Sequence, residues 1–254
     1  MATLSKIDRH HRILEVLSAN NRALLPDLEN QISASRITIQ RDLAELEERG
    51  LIRRFHGGAM LTEYEIGSES HTRRMAINRG QKRRLSTAAA AHISRNSFVG
   101  VDPSSTMYYL SEQSLPHGVT IVTSGLDTFV NLMAKQSAGV QAIVTGGRLQ
   151  PETQTLVGPD AIRTIESYHY EVFLFSAYSV ITGAGVFEYN EENAAVKRAF
   201  AGRADRRILV LDKTKLAHRG GVKICELDEI DVLIIDGKPS DELQHSLGER
   251  LVVI

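Results

Sequence analysis

Over the first sixty residues the apolar positions fall in short helical registers separated by turn residues. Ile13, Leu14 and Leu17 mark the inner side of a first helix, and Pro26 opens a second that carries Leu28 and Ile32. Ser35 stands where an N-cap is expected. Behind it Ile39, Leu43 and Leu46 recur at i, i+4 and i+7, one apolar stripe that stops at Gly50. Residues 51–59 are short, extended in pattern and glycine-bearing, which predicts a β-hairpin wing.

Beyond a polar stretch at 61–80 the pattern changes. Apolar, β-rich runs at 98–101, 119–122, 140–144, 172–175, 208–211 and 232–235 alternate with helical stretches at 83–93, 106–110, 126–134 and 191–204. Such alternation predicts parallel strands joined by crossover helices, and near-continuous apolar strands imply a sheet covered on both faces. The expected architecture is an α/β protein: a winged helix-turn-helix at 1–60, a linker at 61–80 and a larger α/β domain at 81–254.

Composition is that of an ordinary globular chain, 42% hydrophobic and 24% charged over 254 residues. No apolar run approaches the ~20 residues that span a bilayer. Charges through the first twenty residues break any signal-peptide core, so a cytoplasmic protein is expected. Cys225 is the single cysteine, which excludes a disulfide framework and a cysteine metal cluster; neither a metal nor a cofactor is expected. The formal charge of −1 gives no bulk signal for a polyanion, so local distribution has to carry it. Residues 71–84 hold Arg73, Arg74, Arg79, Lys82, Arg83 and Arg84 with no acid, a basic run that fits a solvated helix face or linker equally well.

A major groove admits one α-helix, whose first residues meet base edges and phosphates. With the 39/43/46 stripe turned inward, Arg36, Thr38, Gln40 and Arg41 remain for the groove, and Ser35 with the free N–H groups of the first turn suits a phosphate. Arg53, Arg54 and His56 put cations on the wing, at a size that reaches a backbone. Arg-bearing amphipathic helices ending in glycine also occur in proteins that never meet DNA, and periodicity alone leaves both open.

Ser35, Thr38-Ile39, Arg41-Asp42-Leu43, Leu46, Gly50, Arg54 and His56-Gly57-Gly58-Ala59 together resemble the N-terminal signature of the DeoR family of bacterial transcription regulators. Gln40 departs from the family's second arginine and Ala34 from its usual valine. The resemblance implies binding to a double-stranded DNA operator, usually as a repressor, by a homodimer or homotetramer.

In the larger domain, loops at the ends of predicted strands mix hydroxyls and glycines: Asp102-Pro103-Ser104-Ser105-Thr106, Thr123-Ser124-Gly125, Thr145-Gly146-Gly147-Arg148 and Gly183-Ala184-Gly185. Open α/β sheets bind ligands there, and N–H groups at helix starts suit phosphate. Singly each loop is an ordinary turn; their repetition carries the inference. Lys197 and Lys215 offer cations, though either could sit in solvent. The resemblance continues through Asp102, Ser105-Thr106, Thr123, Gly146-Gly147, Gly158, Gly185, Glu192, Lys197, Asp212 and Lys215. It implies a sensor domain similar to sugar-phosphate isomerases that takes a phosphorylated sugar as effector. Pro103-Ser104 and Ser124-Gly125 depart from that pattern. Two further functions compete. A residual isomerase would need an acid/base among Glu191, Glu192, Asp212 and His218, for which no spacing speaks. A ligand-blind module would merely pair two DNA-reading heads.

Overall fold

Three helices and three short strands make the N-terminal unit: α1 (Lys6–Asn20), β1 (Arg22–Leu24), α2 (Leu25–Ile32), α3 (Arg36–Glu48), β2 (Ile52–Phe55) and β3 (Gly58–Leu61). The computed structural model describes residues 4–20, 22–32, 34–61, 74–75, 77–135, 139–216 and 221–254. It divides into two compact units, Met1–Arg79 and Gly80–Ile254. Most of the stretch expected to be a linker lies outside the described residues, as does His218.

The apolar stripe seats α3. Ile39, Leu43 and Leu46 are buried in one cluster with Ile13, Leu14, Leu17, Leu28 and Ile32. Each such side chain stabilises by about 1.5–3 kcal/mol when buried, so the stripe dictates which side of α3 faces out. Ser35 caps the helix, its hydroxyl accepting from the Thr38 N–H at 3.3 Å. In the wing Phe55 pairs with Gly58, leaving His56-Gly57 as a two-residue loop in which Gly57 takes φ +88°. Strand β1 pairs with β3 and completes the sheet β1-β3-β2; at three residues it is too short to show an alternation in the sequence.

The second unit opens with α4 (Arg79–Ala90), β4 (Phe98–Val101), a 3-10 helix (Met107–Glu112), β5 (Thr120–Thr123), α5 (Leu126–Lys135) and β6 (Gln141–Val144). A hairpin of β7 (Arg148–Gln150) and β8 (Thr155–Val157) follows, then α6 (Pro159–Glu166) and β9 (Tyr170–Phe175). The chain continues through β10 (Ser179–Ile181), β11 (Gly185–Glu188), α7 (Glu191–Ala201), β12 (Ala204–Asp212), a 3-10 helix (Lys213–Leu216) and β13 (Val222–Cys225). It ends with β14 (Val232–Asp236), α8 (Asp241–Leu247) and β15 (Leu251–Val253).

Seven of these strands form one parallel sheet in the order β15-β14-β12-β9-β4-β5-β6. Alternate residues serve opposite faces. Val172, Leu174, Ile208 and Val210 pack with Leu85 and Ala89 of α4, whereas Phe173, Phe175, Leu209 and Leu211 pack with Ile165 of α6 and Val196 and Phe200 of α7. Both faces are therefore covered, as the apolar runs predict. The chain leaves β4 for β5 and β6 on one side and returns through β9 on the other. The topological switch point thus lies between β4 and β9, and the crevice for ligands lies at their carboxyl ends. The small strands β7, β8, β10, β11 and β13 and the helices α6 and α8 escape the sequence reading, being three to eight residues long.

Candidate functional site

On α3 the side chains of Arg36, Ile37, Gln40 and Arg41 are exposed and Thr38 is half-buried. Among the described residues the side chains of Arg41 and Arg53 make no hydrogen bond or ion pair, and Arg36 Nε lies 3.8 Å from Glu29. His56 stands exposed at the wing tip. Arg54 is engaged differently: its N–H and its Nε both donate to Glu47, at 2.8 and 2.6 Å. The Arg54 N–H, then its guanidinium, hold the Glu47 carboxyl below the usual range. Arg54 therefore fastens the wing to the end of α3. The Ser35 hydroxyl is likewise occupied, accepting from the Thr38 N–H as a cap and meeting Thr38 Oγ1 at 2.9 Å, so the N–H groups of Arg36 and Ile37 are the ones left in the first turn for a phosphate.

Asp42 is the residue that sequence reasoning left without a role. Only 1% exposed, it accepts from Arg9 Nε at 2.8 Å and Arg9 Nη2 at 3.1 Å, and lies 3.2 Å from His10 Nε2. It clamps α1 to the back of α3. The available signal was an acid inside the 39/43/46 stripe, where a solvated side chain is not expected.

In the second unit Asp102, at the end of β4, is completely buried. Its Oδ1 accepts from the Ser104 N–H at 3.1 Å and the Ser104 hydroxyl at 2.6 Å, and its Oδ2 from the Ser176 N–H at 3.0 Å. Lys197, 5% exposed on α7, reaches Asp102 Oδ2 at 3.1 Å and the Ser176 carbonyl at 2.6 Å, and pairs with Glu188. The Lys197 ammonium has three protons and three acceptors, so it lies behind the loops instead of presenting a charge to the crevice. Burial pushes the Glu188 carboxyl up, but the charge and hydrogen bond of Lys197 outweigh it and hold the group below the ordinary range. Burial also pulls Lys197 down, and Glu188 and Asp102 more than restore it. Asp102, Glu188 and Lys197 together fix the ends of β4 and β9 across the switch point.

The neighbouring loops carry the open valences. Thr123 Oγ1 accepts from the Gly125 N–H at 3.0 Å, and Ser105 and Thr106 are buried. Ser124 Oγ at the end of β5, Thr145 Oγ1 at the end of β6 and Asn193 Oδ1 on α7 are buried with no hydrogen-bond partner among the described residues. Next to them Gly146 and Gly147 are exposed, and Glu192 accepts from Arg148 Nη2 at 2.6 and 2.7 Å and from Gln150 Nε2 at 2.6 Å. Arg148, then Gln150, hold the Glu192 carboxyl below the usual range. Lys215 is half-buried beyond β12, near enough to Glu188 to help depress it. Asn193 and Glu188 were not foreseen, since nothing in their sequence positions separates them from an ordinary helix start and strand end. The basic run at 79–84 belongs to α4: Lys82 is buried, Arg83 pairs with Glu112 at 2.8 Å and Arg84 pairs with Asp236. Among the described residues no cluster of three or more His, Cys, Asp or Glu could hold a metal ion, and no helix is long and apolar enough to cross a membrane.

Residues 9–65 match the DeoR-like helix-turn-helix domain and residues 77–237 the DeoR C terminal sensor domain. The chain belongs to the DeoR family. It is a DNA-binding transcription regulator, 31% identical to the HTH-type transcriptional regulator GolR of Listeria innocua over 91% of each chain. It is 26% identical to a lactose phosphotransferase system repressor of Staphylococcus aureus, over 95% of this chain and 96% of that one. A ribose 5-phosphate isomerase from Plasmodium falciparum superposes with a TM-score of 0.39 at 13% identity, over 56% of this chain and 54% of that one.

Two departures of this DeoR-family regulator from the family pattern meet in space. A Cβ at Gly125 would lie 3.0 Å from Pro103 Cα and 3.1 Å from its Cβ. Pro103 occupies the room a side chain at 125 would need, so the loops after β4 and β5 pack closely against each other here.

Proposed function

We propose that this regulator represses an operon for the use of a sugar, and that a phosphorylated sugar captured at the carboxyl ends of β4, β5 and β6 releases it from its operator. One observation carries the effector reading: Ser124 Oγ and Thr145 Oγ1, both buried and with no hydrogen-bond partner among the described residues, end the adjacent strands β5 and β6 on the β4 side of the switch point. Buried hydroxyls of this kind demand a polar partner, and a phosphate or sugar hydroxyl supplies it. Arg148 and Lys215 are the cations available to such an anion, with Asp102 and Lys197 positioning the loops. The relative named a lactose phosphotransferase system repressor favours both the sugar and the sign of regulation. The head at 1–60 and the sensor at 81–254 act in a homodimer or homotetramer in the cytoplasm. Effector binding shifts the population of head arrangements by favouring one state. The carboxylates weighed for catalysis are otherwise engaged: Glu191 pairs with Arg198, and Asp212 accepts from the Thr214 N–H. Those engagements favour a regulatory over a catalytic use of the fold, as do the regulators that the chain resembles.

Thermal-shift measurements of the full chain against a panel of sugar phosphates and their unphosphorylated parents test this. At least one phosphate should raise the midpoint and release bound DNA, and Ser124→Ala should weaken that response about tenfold. If no sugar phosphate does either, the second unit is an assembly module only. On the DNA side, Arg41→Ala should weaken binding to all duplexes and reduce the salt slope by about 1 if Arg41 meets a phosphate. An unchanged slope removes Arg41 from the interface.

A further inference from the structure

Ile37 is the most exposed large apolar side chain among the described residues, at 72%, and it stands in the first turn of α3. Neither capping nor helix propensity accounts for it: Ser35 is the cap, and a β-branched residue is a mediocre helix former in solvent. Its position is specific. Ile39, Asp42, Leu43 and Leu46 are buried, and at 100° per residue the line opposite them runs through Ile37, Arg41, Ala44 and Glu48, with Gln40 alongside. Ile37 thus projects from the middle of the outward face, in the turn that enters deepest when a helix-turn-helix docks. Arg36 and Arg41 flank it with cations for the phosphates on either side of a groove.

We infer that Ile37 packs against the C5-methyl group of a thymine in the major groove and so sets one position of the operator sequence. The inference rests on the DNA-binding reading of this unit and deepens it. The thymine methyl is the apolar group that base edges offer in the major groove, and a polar base edge opposite Ile37 would lose water without gaining a hydrogen bond. The selectivity comes from apolar burial, so it is insensitive to salt, unlike the contribution of Arg41.

The test begins by selecting bound sequences from a random duplex pool with the full-length protein. Each thymine of the selected site is then replaced, one at a time, by deoxyuridine, which lacks only the methyl group. The wild-type protein should lose about 3- to 10-fold in affinity at one thymine per half-site. Ile37→Ala should bind the thymine duplex more weakly by a similar factor and show no further loss at that deoxyuridine. Its thermal midpoint should stay unchanged, since the side chain is exposed. Wild-type indifference to every deoxyuridine, or the same penalty in Ile37→Ala, overturns the role of Ile37 while leaving DNA binding intact. A pool in which no sequence is enriched overturns operator reading by this unit, and this inference with it.

Discussion

Replacing Lys197 by methionine should cost the sensor unit about 3–5 kcal/mol at neutral pH. The methionine keeps the length and apolar stem of lysine but leaves Asp102 and Glu188, both buried, without their shared counter-charge. The carbonyl of Ser176 also loses its donor. The cost has a pH signature. Glu188 is held below its ordinary 4.5, so its contribution in the wild type is present above 4.5 and is lost as pH falls through the lower folded value. Lys197 is raised above 10.5, so its contribution is complete below 10.5 and is lost as pH rises through the higher folded value. In Lys197→Met the two largest depressing influences on Glu188 are gone and burial, the largest effect of all, is opposed only by the Tyr189 N–H and Lys215, so the pKa of Glu188 should rise. The variant should therefore recover stability on acidification from about pH 8 to about pH 5, where the wild type changes little. Urea unfolding midpoints at the two pH values measure this. A loss below about 1 kcal/mol, or one that does not shrink in acid, would mean that water already solvates the cluster.

The second large effect is expected in the N-terminal unit. Asp42→Ala removes the carboxylate that takes two hydrogen bonds from Arg9 and one from His10, and with it the buried polar tie between α1 and α3, leaving the more exposed Lys6–Glu45 pair. Arg9 retains some access to water, its side chain being 16% exposed, so the loss should be about 2–3 kcal/mol, below the full penalty for a stranded buried ion. Affinity for the selected duplex should fall further than Arg41→Ala causes, because every contact of α3 depends on its seating. Asp42→Asn, which keeps one acceptor, should lie between the two. Calorimetry of the full chain with duplex titration checks both quantities. An Asp42→Ala protein that unfolds at the wild-type temperature and binds DNA normally would show that α3 is held without the buried carboxylate.

Asp42 and Lys197 also mark where reading the sequence stops. The apolar positions of α3 were legible because a helix repeats every 3.6 residues and burial selects one face. The same periodicity, run through Ile37 and Arg41, locates the outward side. What Asp42 does was not legible, because its partners sit more than thirty positions earlier in the chain. Lys197 shows the converse: a lysine near hydroxyl-rich loops reads as a phosphate ligand, and only the packed chain shows Asp102, Glu188 and Ser176 around its ammonium.

By itself the sequence determined the class and order of the long elements, the two-sided burial of the sheet, the cap at Ser35, the wing turn at Gly57 and the family. The elements are local patterns or periodicities, and the family is a set of such patterns read in order along the chain. Strand order could not be had that way, because parallel strands of similar apolar composition are interchangeable until their crossovers are placed. Only the tertiary structure put β4 beside β9, and with that it placed the switch point, joined Asp102 to Lys197 and set Pro103 against Gly125. Those contacts depend on which chain segments become neighbours, a property of the packed whole that no local window contains.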